Sequence, residues 1–163
     1  MLAGWKTKKT SSSGFTTIEL LIVLVVVIVL GSLILVTYKG VQQRKHDTDR
    51  KTDIIKLDAQ IHAYQAETDK YPSLTQMNNA SFRASNMKEL TEANLTDPLW
   101  KASNPNCTAG GVAILQGSSI PKPGCYGYDP SPAGCDNKNT DCTSYILTTG
   151  LETGGVYAKE SIN

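Results

Sequence analysis

Gly14-Phe15-Thr16-Thr17-Ile18-Glu19 runs directly into Leu20-Leu21-Ile22-Val23-Leu24-Val25-Val26-Val27-Ile28-Val29-Leu30. From Leu20 to Val36 only Gly31 and Ser32 are not strongly apolar. With Phe15 and Ile18 in front and Tyr38 behind, the stretch has the length of one bilayer span, which places a transmembrane helix over residues 15–38. Glu19 does not fit a plain span. A carboxylate inside such a segment costs about 3 kcal/mol even on the lenient insertion scale, and marks a functional position that needs a partner. A cut after Gly14 would create an α-ammonium at Phe15, about one helical turn from Glu19. Pairing between neighbouring copies satisfies both groups better than pairing within one helix end.

Ahead of this stretch, residues 1–14 are polar, basic and Ser-rich, with Lys6, Lys8 and Lys9 and no acid. They read as a removable leader without a fold. Lysines directly before an apolar span keep the N-terminus cytoplasmic and send the C-terminus out. The total charge of +1 then divides into +3 for the leader and −2 for the rest, 13 basic against 15 acidic residues. Gly31-Ser32 mimics a secretory cleavage site, but the apolar run before it is long and contains Glu19, so removal there is not expected.

Behind the span, Val41 to Tyr71 contains neither Gly nor Pro, which favours one continuous helix running to about residue 70. Ile54, Leu57, Asp58, Ile61, Tyr64 and Gln65 recur at spacings of three and four, and the apolar ones form a stripe. Arg50, Lys51, Lys56 and Glu67 are expected in water. The cluster of five basic and three acidic residues from Lys39 to Asp53 reads as a solvated face or as ion pairs between subunits.

Beyond Tyr71 the composition changes: all seven prolines and nine of the thirteen glycines lie here. Met87 to Leu95 reads as a short helix capped by Ser85-Asn86. Gly111–Leu115, Cys125–Asp129, Ser144–Thr149 and Gly155–Ala158 are strand candidates, the middle two with period-two alternation at Tyr126/Tyr128 and Tyr145/Leu147. A hairpin turn is expected near Glu152 to Gly155. A segment of this size with few large aliphatics needs the helix stripe and covalent staples to complete its core. The staples are Cys107, Cys125, Cys135 and Cys142: an even number beyond the span reads as two disulfides with three possible connectivities. The expectation is Cys107–Cys125 and Cys135–Cys142, the second closing a short loop. A zinc site fails because no C-x2-C pair exists and His46 and His62 lie far upstream.

Asn137-x-Asn139-x-Asp141, with Asp129 and Asp136 nearby, offers oxygen ligands for calcium, but Cys142 stands where an EF-hand loop needs glycine. An Asx-rich turn is the commoner explanation, so no cofactor is expected, with calcium the weak candidate. No nucleophile constellation, phosphate loop or metal motif is present, and the basic residues gather near the span without aromatics. Neither an enzyme nor a nucleic-acid binder is expected.

The basic leader ending in Gly14, Phe15 after it, Glu19 four residues on and the apolar run together resemble the class III signal of type IV pilins and of type II secretion pseudopilins. The stretch from Asp49-Arg50 through Asp53-Ile54, Leu57, Ile61 and Tyr64 to Tyr71-Pro72 is similar to the helix of major pseudopilins. Asp97-Pro98-Leu99-Trp100 loosely resembles an Asp-Pro-Trp motif of the same family, with Leu99 inserted. The resemblance implies an α+β, type IV pilin-like fold. A long N-terminal helix, transmembrane in its first half and amphipathic in its second, would pack on a small C-terminal antiparallel sheet domain. The chain would divide into leader 1–14, assembly helix 15–38, amphipathic helix 39–70 and a disulfide-stapled extracellular head 71–163. It further implies cleavage between Gly14 and Phe15 by a prepilin peptidase, N-methylation of Phe15, and Glu19 as the assembly charge. The partners would be copies of itself and related pilins in a helical fibre, the membrane assembly platform, and membrane lipid before assembly. The chain would begin as a single-pass protein of the bacterial cytoplasmic membrane and end outside the cell in a pilus or pseudopilus serving adhesion, motility, DNA uptake or protein secretion. The alternative is a single-pass membrane protein that displays a small extracellular binding domain and does not assemble.

Overall fold

The computed structural model describes residues 14–161, and the side chains of all of these but 33–37. The expected leader lies outside them except for Gly14. Helix α1 (Thr17–Thr68) is followed by α2 (Leu74–Asn78), α3 (Ala80–Asn86) and a 3-10 turn at Glu92–Leu95. Strands β1 (Thr108–Ala109), β2 (Val112–Ala113), β3 (Tyr126–Ser131), β4 (Ser144–Gly150) and β5 (Val156–Glu160) complete an α+β arrangement. The chain divides into two compact units, one ending at Gly40 and one beginning at Val41.

In the first unit α1 starts at Thr17, and the apolar side chains from Ile18 to Leu30 are all 48–66% exposed. The transmembrane half of the expected fold is corrected here. Among the described residues no helix is long and apolar enough to cross a membrane. The expected single-pass placement in a membrane depended on that helix.

In the second unit the stripe Ile54, Leu57, Ile61 and Tyr64 is buried, as its spacing predicts. It joins one core with Met77, Met87, Leu95, Leu115, Tyr126, Tyr128, Tyr145 and Leu147. The main sheet is antiparallel in the order β3-β4-β5, with Tyr126 opposite Thr149 and Tyr128 opposite Leu147. β4 and β5 form the expected hairpin, whose turn closes through Leu151 N–H to Gly155 O (3.0 Å) and Gly154 N–H to Leu151 O (3.2 Å). The disulfides are Cys107–Cys125 and Cys135–Cys142, the pairing expected.

The region before the strands differs from expectation. Met87–Leu95 is not one helix: Met87 and Leu90 turn into the core, and only Glu92–Leu95 winds, as a 3-10 turn. The helices come earlier because their caps do. Ser73 and Gln76 form a reciprocal capping box that starts α2 directly after Pro72, and the Asn79 side chain accepts Phe82 N–H (3.0 Å) to start α3. Between Ala113 and β3 the chain crosses the sheet at Gly127, where Gln116 N–H donates to Tyr126 O and Tyr128 N–H to Gln116 O, both at 2.8 Å.

That crossing is too close for any side chain at 127. A Cβ there would stand 2.2 Å from Ser118 O and 2.5 Å from Thr148 Oγ1, the first of them backbone that cannot swing aside. Gly127→Ala is therefore expected to destabilise the second unit by about 2–3 kcal/mol or more, read as a lowered urea midpoint at unchanged slope. A midpoint equal to wild type would show that the crossing strand yields freely.

Candidate functional site

The start of α1 carries the sequence-predicted site residues Gly14, Phe15 and Glu19, and all three are exposed. Phe15 is 87% exposed. Thr16 stands before the first helical residue, and one Glu19 carboxylate oxygen accepts both its backbone N–H and its hydroxyl, each at 2.8 Å. Glu19 N–H in turn reaches Thr16 Oγ1 at 3.3 Å. This is a capping box, which satisfies donors that a helix start otherwise leaves open. The carboxylate thus has a local use that sequence reasoning missed, although Thr16-x-x-Glu19 is its plain signature. The other carboxylate oxygen takes no part in the box.

A second constellation was not foreseen. The buried stripe does not begin at Ile54. Its spacing extends back through Arg50 and Asp47, so that 47, 50, 54, 57, 61 and 64 lie on one face, and both charged residues are buried. The expectation that Arg50 lies in water is corrected. Its guanidinium donates to Asp97 through Nε (2.7 Å) and Nη2 (3.0 Å), and through Nη1 to Asp47 (2.9 Å) and Glu152 (3.0 Å). One cation faces three carboxylates, so the excess negative charge needs further donors. Asp47 receives Glu152 N–H (2.7 Å), Thr153 N–H (3.0 Å) and the Thr153 hydroxyl (2.6 Å). Asp97 receives Leu99 N–H (2.8 Å), and Glu152 meets His46 Nδ1 at 2.7 Å.

A buried ion cluster of this kind brings little net stability over a well-packed apolar one. Stranding one member costs about 3–5 kcal/mol, so the cluster penalises every arrangement but its own. Here it fixes the Asp97 segment and the β4–β5 turn on the helix. The electrostatics follow the geometry. Burial alone would lower the Arg50 pKa, but Asp97 foremost, then Asp47 and Glu152, raise it. Burial likewise opposes ionisation of Asp47, yet Thr153, the amides of Glu152 and Thr153, and Arg50 hold its pKa at about 2. Further along α1 the polar edge continues. Asp53 accepts Asn94 Nδ2 and the Tyr126 hydroxyl, both at 3.0 Å, and Asp58 accepts the Tyr145 hydroxyl at 2.6 Å. Burial raises the Asp53 pKa against the pull of those donors.

The calcium candidates do not converge. Asp129 lies on β3, while Asp141 pairs with Lys70 (2.8 Å). Asn137 is spent on Tyr71 O, Gln76 Oε1 and Cys142 N–H. Asp136 Oδ1 accepts the backbone N–H groups of Lys138, Asn139 and Thr140, and Asn139 Nδ2 donates to its Oδ2. Those amides, Asn139 first, hold its pKa well below the ordinary carboxylate range. The loop is an Asx turn closed by a disulfide, and no group of three or more His, Cys, Asp or Glu gathers to hold a metal among the described residues. Comparison with protein-family models, curated proteins and solved structures finds no match to this chain.

The Asp47 environment has a measurable pH signature. Its folded pKa of about 2 lies below the ordinary 3.8, so its contribution is complete above pH 4 and lost as pH falls towards 2. The difference corresponds to about 2 kcal/mol. Asp53 works in the opposite direction, so wild type is best compared with Asp47→Asn. The stability gap between them should shrink by about 2 kcal/mol from pH 5 to pH 2 in chemical unfolding. A gap independent of pH would show that Asp47 is not ionised in the fold.

Proposed function

We propose that this chain is a prepilin-like structural subunit. It is cut between Gly14 and Phe15 by a prepilin peptidase and assembles into a surface pilus or pseudopilus through the apolar start of α1. The observation that supports this reading best is the exposed apolar surface from Ile18 to Leu30, headed by Phe15 and Glu19. A contiguous apolar surface of that size on one chain needs a cover, and copies of the same helix supply one of matching length. Van der Waals packing of Leu, Ile and Val side chains then holds neighbouring copies. Glu19 sets their register: the oxygen outside the capping box accepts the Phe15 ammonium that cleavage creates on the next copy. Methylation of that amine leaves its charge in place. The head, built on the buried face of α1, is carried outward as the fibre's surface.

The capping box makes a clean test available. Gln is as good a partner as Glu at the third position of a capping box, so Glu19→Gln keeps the helix start and removes only the charge. In the native host, intact mass should show wild type and Glu19→Gln both beginning at Phe15. Sheared fibre yield at matched protein level should fall about tenfold or more for Glu19→Gln, since a charge-assisted contact of ~1.5–3 kcal/mol is lost at each joint. Glu19→Ala, which also loses the cap, should assemble no better. An intact N-terminus in wild type would overturn the subunit reading. Full fibre yield from Glu19→Gln would leave Glu19 a helix cap and nothing more.

A further inference from the structure

The main sheet has one edge closed and one open. At β3 the crossing segment occupies the edge, bonding through Gln116 to Tyr126 and Tyr128. The other edge is β5. Bonded and non-bonded opposites alternate along an antiparallel pair. Leu151 N–H to Gly155 O (3.0 Å) at one end of the hairpin and Ser161 N–H to Tyr145 O (3.1 Å) at the other set the phase. Tyr157 and Lys159, opposite Thr149 and Leu147, therefore turn their backbone groups towards β4. Val156, Ala158 and Glu160 turn theirs away from it, and among the described residues nothing meets those N–H and C=O groups.

Natural sheets guard such an edge with proline, a bulge or charge. β5 has no proline, and its register with β4 runs unbroken from Val156 to Glu160. The Lys159 ammonium is turned to the α1 side, 3.8 Å from Asp58 Oδ2. Tyr157 lies on that side too, with Lys51 Nζ 5.8 Å from its ring centroid. Val156, Ala158 and Glu160 are exposed on the opposite side, Val156 by 56%. Ile55, in the α1 turn between Lys51 and Asp58, is 49% exposed. Each side of the edge thus carries an uncovered apolar side chain.

We propose that β5 pairs with β5 of a second copy, antiparallel about a two-fold axis through Ala158, joining two three-stranded sheets into one. In this register every outward group finds its complement. Ala158 bonds Ala158 of the second copy, and Val156 and Glu160 bond each other in both directions. The side chains agree: Val156 lies opposite Glu160, Tyr157 opposite Lys159 and Ala158 opposite itself, so no like charges meet. Moving the axis to Lys159 or Glu160 sets like charges opposite one another, and moving it to Tyr157 runs the ladder into the Gly154-Gly155 turn. The pairing goes beyond the subunit reading and does not rest on it.

The test is amide exchange of the full-length protein in detergent, read at Val156, Ala158 and Glu160. These N–H groups exchange freely in a single copy and are protected in the pair, whatever the start of α1 does. With a dissociation constant on the order of 0.1 mM, as suits a ladder this short, their exchange should slow about fourfold between ~10 µM and ~1 mM protein. Ala158→Lys and Ala158→Glu set like charges across the axis and keep the hairpin, since the side chain at 158 is exposed. Each alone should lose the concentration dependence at an unchanged melting temperature, and an equal mixture of the two should recover it. Equally fast exchange at both concentrations would overturn the pairing and leave the edge to a strand of another protein. An unchanged concentration dependence in either variant alone, or no recovery in the mixture, would overturn it as well.

Discussion

The second unit depends on one guanidinium. Arg50 occupies a core position of α1, where an apolar side chain would serve packing equally well. Its five donors in a fixed fork do what an apolar residue cannot: they choose partners. Asp97 takes two of them, through Nε and Nη2, and Nη1 donates to both Asp47 and Glu152, so two segments distant in sequence are held in one place. The neighbouring positions repeat the device at lower charge, with Asp53 on Tyr126 and Asp58 on Tyr145. α1 thus presents a face with an apolar centre, which supplies burial, and a polar edge, which supplies register. A small sheet with few aliphatics needs both, because burial alone does not distinguish one seating of three strands from a shifted one.

How much of this the sequence disclosed follows from which signals are local. The stripe from Ile54 to Tyr64, the strand alternation at Tyr126/Tyr128 and the β4–β5 turn are periodic or short-range patterns, and each lies where its pattern puts it. The capping boxes at Thr16/Glu19 and Ser73/Gln76 were equally local, and reading them would have located α2 in place of a helix over Met87–Leu95. Arg50 and Asp47 escaped for another reason. A charged residue on the extension of an apolar stripe looks like the end of the stripe unless its partners are known. Those partners lie 47 and 102 residues away, at Asp97 and Glu152. The transmembrane expectation is not met: among the described residues no helix is long and apolar enough to cross a membrane. The disulfide pairing was open among three connectivities, and the short loop it closes is the one the structure contains.

The Arg50 cluster, and not the turn's own hydrogen bonds, holds the β4–β5 connection. Native-state amide exchange of the full chain measures this at two atoms, the N–H groups of Glu152 and Thr153, which donate to Asp47. If the cluster holds the turn, both amides exchange only through global opening, at the protection of the Ile54 and Leu57 amides in α1. Rapid exchange of Glu152 and Thr153 beneath a protected helix would mean that the turn frays independently and that the Arg50 cluster does not hold it.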